Sequence, residues 1–224
     1  MICHELKCIF IHIPKCAGTS IESALGHLDG HSGRGGQDHR SIRMLQRPIL
    51  DSTTFSTIEN IIELYRRIKH QFSPNITNPK NKITLTHNQY LDYFKFTVVR
   101  DPWDRAYSWY NNYIRDPEHE TSGLSRSTSF HKFIQHQAGK GMLAPQLYWL
   151  KDTQGQIPMD YIARFENLES DFGYICKQLG IGEIELPHKI KGTDSNYRDK
   201  YDNDAMRIVE KAYKEEIRLF NYEF

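Results

Sequence analysis

The chain of 224 residues lacks several things. It has only four cysteines, Cys3, Cys8, Cys16 and Cys176, and no Cys-x-x-Cys pair. That removes the common zinc and dithiol motifs, and it reads as reduced thiols rather than a disulfide framework. No apolar run approaches the ~20 residues of a membrane span. The opening MICHELKCIF lacks the basic segment, long apolar stretch and small-residue cleavage site of a secretory leader. The expected compartment is the cytoplasm, where the sequon at Asn75-Ile76-Thr77 stays idle. Charge of one sign is missing too: 29 basic against 28 acidic residues give a net +1, so no nucleic-acid partner is expected. There is no internal repeat. Among eleven histidines, His131 and His136 do not match a zinc spacing, and no metal is expected.

What remains is an ordinary globular composition, 38% hydrophobic and 25% charged. The length fits one domain, 1–224, with a loop and helix inserted at about 48–82. Three apolar runs of strand length stand at 8–13, 94–99 (FKFTVV) and 161–165 (YIARF). Each is followed by a helical pattern. Ile21, Ala24, Leu25 and Leu28 share a face after the first. Trp103, Ala106, Tyr107, Tyr110 and Ile114 do so after the second. Leu168, Phe172, Ile175, Cys176 and Leu179 follow the third, with Gly180 as the stop. Strand–helix alternation predicts an α/β fold with a mainly parallel sheet. Between the first two units, HLDGHSGRGG and SPNITNPKNK read as loops. Residues 55–70 read as an amphipathic helix with Ile58, Ile61, Ile62, Tyr65 and Ile68 on one side. The last 24 residues read as one terminal helix on Ala205, Ile208, Val209, Ala212 and Phe220.

The first strand runs into the turn Pro14-Lys15-Cys16-Ala17-Gly18-Thr19-Ser20. Thr19 suits a helix N-cap, and Glu22 three residues on completes a capping box. Such a turn offers backbone N–H groups and the positive end of a helix to one point. Gly18 permits close backbone approach, Lys15 adds a cation, and Thr19 and Ser20 add hydroxyls. It is a phosphate cradle, yet not GxxxxGK[ST], because the lysine precedes the glycine. The same residues also make a plain strand–turn–helix with a solvated lysine, and this segment alone leaves both readings open.

The second strand ends in Arg100, followed by Asp101 as N-cap and Pro102 at the first helical position. Arg105, Ser108 and Asn112 fall opposite the aromatic stripe. Arg100 can grip a phosphate with two N–H groups, or pair with Asp101 or Asp104. In a parallel sheet the carboxyl ends of the strands share one edge, where ligands bind. Two anion-holding turns there imply a nucleotide phosphorylated at both ends of its ribose. A nucleoside triphosphate would bring Mg²⁺, and no apolar strand here ends in the aspartate that would hold it.

FIHIPKCAGTSI resembles the 5′-phosphosulfate loop of sulfotransferases, and FKFTVVRDPWDRAYSWY resembles their 3′-phosphate segment. YIARFENLESDFGYICKQLGI and the closing YRDKYDNDAMRIVEKAYKEEIRLFNYEF are similar to later segments of the family that holds Golgi-type carbohydrate sulfotransferases and bacterial relatives. The resemblance is weakest over 40–85. It implies a P-loop NTPase-like three-layer α/β fold with a central, mainly parallel sheet. It also implies the donor 3′-phosphoadenosine-5′-phosphosulfate (PAPS), spent as 3′-phosphoadenosine-5′-phosphate (PAP), with no obligatory metal. Carried over, Lys15, Cys16, Ala17, Gly18, Thr19 and Ser20 hold the 5′ group, and Arg100 and Ser108 hold the 3′-phosphate. Cys16 stands where many relatives have Thr, and Asp101 where Asn is common. The acceptor implied is a hydroxyl on a glycan or glycolipid.

Sulfuryl transfer needs charge stabilisation on the leaving phosphate, for which Lys15 is suited, and a base for the acceptor proton. His39 in GQDHRSIRML is the first candidate, because HRSIR resembles the histidine element that relatives carry between the two phosphate segments. His87 in LTHNQY is the second, and His12 reads as a core residue. Arg164, Glu166 and Arg198 could line the cleft, and residues 48–82 could form the acceptor site or a lid. A P-loop phosphotransferase and a non-catalytic nucleotide-binding module are the alternative functions.

Overall fold

The computed structural model describes residues 1–31, 35–116, 124–187 and 196–224; the Gly-rich stretch expected as a loop at 27–36 falls partly outside them. Among the described residues one sheet holds four strands in spatial order: β1 (Ile2–Cys3), β2 (Cys8–Ile11), β3 (Phe94–Val99) and β4 (Tyr161–Arg164). β1 runs antiparallel to β2, and the other two junctions are parallel, with Phe10 opposite Phe96 and Val98 opposite Ala163. The α/β class and the mainly parallel sheet agree with the strand–helix alternation. β2 is buried along its whole length and β3 nearly so, as continuous apolar runs covered on both faces require. Thr97 is the polar exception, and its hydroxyl donates to the Ile11 carbonyl at 2.8 Å.

The helices are α1 (Gly18–Ala24), α2 (Ile42–Leu45), α3 (Ile58–Phe72), α4 (His87–Asp92), α5 (Pro102–Arg115), α6 (Phe130–Gln137), α7 (Gln146–Leu150), α8 (Leu168–Gln178), α9 (Asn203–Ala212) and α10 (Lys214–Phe220). None of them is long and apolar enough to cross a membrane. The chain divides into two compact units. One takes the described residues of Met1–Ile13, Ala17–Val99 and Leu147–Lys189, the other those of Pro14–Cys16, Arg100–Gln146 and Ile190–Phe224.

The first unit contains the sheet. Its α8 buries Phe172, Ile175 and Cys176 and stops before Gly180, which takes φ +67, as its pattern predicts. One expectation fails here. Thr19 is not the N-cap of α1: that position belongs to Ala17, at φ 61, with no side-chain cap. The expected capping box is lost because Glu22 turns inward, fully buried, toward His12. The expected amphipathic helix is α3, and its apolar side faces outward while Asn60 and Glu63 are buried. Polar bonds set that orientation. Asn60 Nδ2 donates to the carbonyls of Thr53 and Thr153, each at 2.9 Å, and Glu63 accepts from the hydroxyls of Ser41 and Tyr148 and from Arg66.

The second unit is helical and aromatic. Asp101 accepts the amides of Trp103 and Asp104 at 2.8 and 3.0 Å, and Pro102 opens α5, as predicted. The helix buries Trp103, Ala106, Tyr107, Trp109 and Tyr113, with Phe130 meeting Tyr107 edge-on at 5.3 Å. The expected single terminal helix is two, broken at Tyr213. The Tyr213 hydroxyl is anchored by donating to the Leu143 carbonyl and accepting the Gly139 amide, which fixes that residue off the helical path.

Candidate functional site

In the second unit the site is built on Arg105. The sequence pattern places Arg105 on the outward face of α5; the structure buries it, with 1% exposed. Its guanidinium donates to three carbonyls, Pro14 at 3.0 Å, Ala144 at 3.0 Å and Met142 at 2.8 Å. A guanidinium can satisfy several fixed acceptors from one plane. Here it ties the Pro14–Cys16 segment to α5.

Arg100, just before the N-cap, completes the tie. Its Nη1 donates to the Lys15 carbonyl at 2.9 Å, while Nε and Nη2 fork onto Asp104 at 2.8 Å. The backbone of Arg100 is clamped by the buried Gln146, whose Oε1 accepts its amide and whose Nε2 donates to its carbonyl. Gln146 is held in turn by Glu216, also buried. Cys16 is a buried small side chain whose thiol donates to Gln146 Oε1 at 3.6 Å.

The Lys15 ammonium donates to Asn112 Oδ1 at 3.3 Å and lies 6.0 Å from the Trp109 ring centre. Burial, then the positive charges of Arg100 and Arg115, lower its pKa to about 8. Asp104, Ser108 and Asn112 follow one another at i, i+4 and i+8 on one side of α5. The first holds Arg100 and the last holds Lys15. Ser108, half-buried, stands between the residues that position the two cations. Lys15, Arg100 and Ser108 are thus assembled on one helix face. Such a face offers two cations and a hydroxyl to a polyanion.

The first unit carries the other expected residues. Ala17 precedes Gly18, Thr19 and Ser20, which form the first turn of α1. Lys15 and Ala17 are both non-glycine residues at positive φ, 68 and 61 degrees. Two such residues within three mark a sharply curved segment, each costing on the order of 1 kcal/mol or more. Gly18 is required by a neighbour in the fold: a Cβ there would sit 2.0 Å from His12 Cδ2. The buried His12 faces Glu22 Oε1 through Nδ1 at 3.2 Å. Burial pushes the Glu22 carboxyl up, but His12, the N-terminal amine and the Asp38 amide together hold it below the usual range.

The His39 ring lies 4.3 Å from that of His12, and its Nδ1 is 3.3 Å from the His12 carbonyl. A carbonyl only accepts, so Nδ1 carries the proton and Nε2 holds the lone pair. Burial, then the His12 charge, lowers the His39 pKa to about 4. His39 also lines a cleft of about 340 Å³ with Arg40, Arg66, His70, Asn75 and Thr77. Part of the expected insertion therefore does line a cleft beside His39. His87 is exposed at the first position of α4. Among the described residues no group of three or more His, Cys, Asp or Glu is placed to hold a metal ion.

Sequence reasoning missed Arg105 and Gln146 as organisers. Arg105 acts through carbonyls up to 91 positions away, and Gln146 sits in the plain segment APQL, where nothing local signals a role. Arg164 engages Asp171 through its amide at 2.6 Å, and Arg198 stacks on Tyr197 at 5.0 Å.

The chain is similar to carbohydrate sulfotransferase 10 of Xenopus laevis, at 24% identity over 75% of this chain and 58% of that protein. It is similar to carbohydrate sulfotransferase 10 of Danio rerio at 25% identity, over 99% of this chain and 65% of the relative. It thus spans about three fifths of the length of these curated relatives. A sulfotransferase structure from Alicyclobacillus acidocaldarius aligns over 96% of each chain, with 16% identity and a TM-score of 0.40. The model describing the Sulfotransferase family matches residues 1–223, and the chain belongs to that family.

Proposed function

We propose that this protein transfers a sulfuryl group from PAPS to a carbohydrate hydroxyl, on a glycan or glycolipid. The observation that carries the reading is the α5 face on which Asp104 and Asn112 position Arg100 and Lys15 around Ser108. Family membership supports the reaction class, and the names of the curated relatives support the acceptor class. Lys15 meets the 5′ side of the donor, with the turn through Cys16, Ala17, Gly18, Thr19 and Ser20 supplying backbone N–H groups and hydroxyls. Arg100 and Ser108 take the 3′-phosphate. The acceptor oxygen attacks sulfur, the bond from sulfur to the bridging oxygen breaks, and the nucleotide phosphate leaves with the electron pair. Lys15 offsets the charge that grows on that oxygen. His39 accepts the acceptor proton at Nε2, the nitrogen its tautomer leaves open. The two cations take the place that Mg²⁺ holds in nucleoside triphosphate sites.

The test is transfer of labelled sulfate from PAPS to a panel of saccharides and glycolipids, with chelator present. Transfer to a saccharide hydroxyl is expected, and Lys15→Ala should slow it by about 10²–10³. PAP binding without transfer to any acceptor would point to a binding module. Mg²⁺-dependent phosphate transfer from ATP would point to a phosphotransferase.

A further inference from the structure

The outward face of α3 has no role in the reaction proposed above. Ile58, Ile61, Tyr65, Ile68 and Phe72 recur along it at intervals of three, four, three and four, and are 74, 47, 65, 49 and 80% exposed. Ile62 lies beside them, and Phe55 precedes them, both exposed. An amphipathic helix on a soluble body normally buries such a stripe. Here the polar face is the buried one. Thr57 caps the helix by accepting the Asn60 amide, Asn60 and Glu63 bond inward, and Arg67 donates to the Gln46 carbonyl at 2.9 Å. Those bonds fix the rotation of α3 about its axis, so the apolar stripe is presented by design of the sequence.

A three-four spacing gives a continuous stripe into which the stripe of another helix can pack. The exposed charges of α3 are sorted along its length, with Glu59 near the N-terminus and Lys69 near the C-terminus, while Glu63, Arg66 and Arg67 bond within the chain. A second α3 laid antiparallel sets Glu59 toward Lys69 and opposes the two helix dipoles. A parallel one sets like against like. Tyr65 is the middle residue of the seam, so a two-fold axis there places Tyr65 over its own copy, Ile58 over Phe72 and Ile61 over Ile68.

We propose that the outward face of α3 is a self-association surface, on which two copies of this chain pair through antiparallel α3 helices. The test is sedimentation equilibrium of the full chain, with single-cysteine additions at exposed seam positions. A dimer is expected, and Tyr65→Asp should be a folded monomer by circular dichroism. Tyr65→Cys should cross-link to itself on mild oxidation. Ile58→Cys should cross-link to Phe72→Cys when the two variants are mixed, but not to itself. Glu59→Lys should weaken the dimer, and adding Lys69→Glu should restore it. A monomer at every concentration would overturn the proposal, as would self-cross-linking at Ile58→Cys. So would a monomer that floats with anionic phospholipid vesicles, which would make a membrane the occupant.

Discussion

In the proposed reaction Lys15 is the residue on which the chemistry turns. Its ammonium is held just past a strand end by the side-chain oxygen of Asn112, with burial, then the charges of Arg100 and Arg115, lowering its proton affinity. A lysine so placed is short of countercharge, and an arriving anion supplies it. If its main work is on charge that develops at the leaving oxygen, its loss falls on turnover more than on affinity. Lys15→Ala should lower kcat by about 10²–10³ while PAP affinity drops by about tenfold or less. Steady-state kinetics and calorimetry on the same preparation measure both, and equal losses would contradict the role. Lys15 and Arg100 could be singled out in the sequence because each stands just past a strand end, where residue type and turn chemistry are local, and Ser108 because helical spacing puts it on the Asn112 side of α5. Arg105 and Gln146 were not, because their partners come from Pro14, Met142, Ala144 and Glu216, which no local pattern ties to them.

At the scale of elements the same division holds. The cap of α5 was readable from Asp101-Pro102 because the amides that the carboxylate accepts, those of Trp103 and Asp104, are its near neighbours in the sequence. The cap of α1 was misread because His12 and the Asp38 amide claim Glu22. For α3 the period was legible but not the direction: hydrogen bonds of Asn60 and Glu63 decide which face turns inward, and periodicity carries no information about that. α5 holds the second unit's site by a single guanidinium, which gives a stability prediction. Arg105→Met should lower the unfolding free energy by about 3–5 kcal/mol, since it orphans three carbonyls at once. Urea denaturation followed by tryptophan fluorescence measures it. A loss under about 1 kcal/mol would show that the Pro14–Cys16 segment is held by something else.

For the whole molecule, the three parallel strands were legible as apolar runs followed by helical patterns. β1 was not, being a two-residue strand that exists only by pairing Ile2 with Ile9 and Cys3 with Cys8. The proposed ligand, a nucleotide with phosphates at both ends of its ribose, rests on membership of the Sulfotransferase family and on the two cations that Asp104 and Asn112 position. The pKa of Lys15, lowered to about 8, sets how that ligand should respond to pH. The bound anion favours the ammonium, so binding takes up a proton wherever free Lys15 is neutral. Affinity should therefore be flat from about pH 7 to 8, fall above 8, and level off after a loss of about tenfold, the same loss that Lys15→Ala causes.

The most direct measurement is calorimetric titration of PAP into the full chain in chelator from pH 7 to 9.5, for the native protein and Lys15→Ala. A donor site on Lys15 and Arg100 predicts metal-free binding that weakens above pH 8 with proton uptake, and a variant that loses the pH dependence. Absence of binding without Mg²⁺, or an affinity that ignores both pH and the substitution, would contradict it.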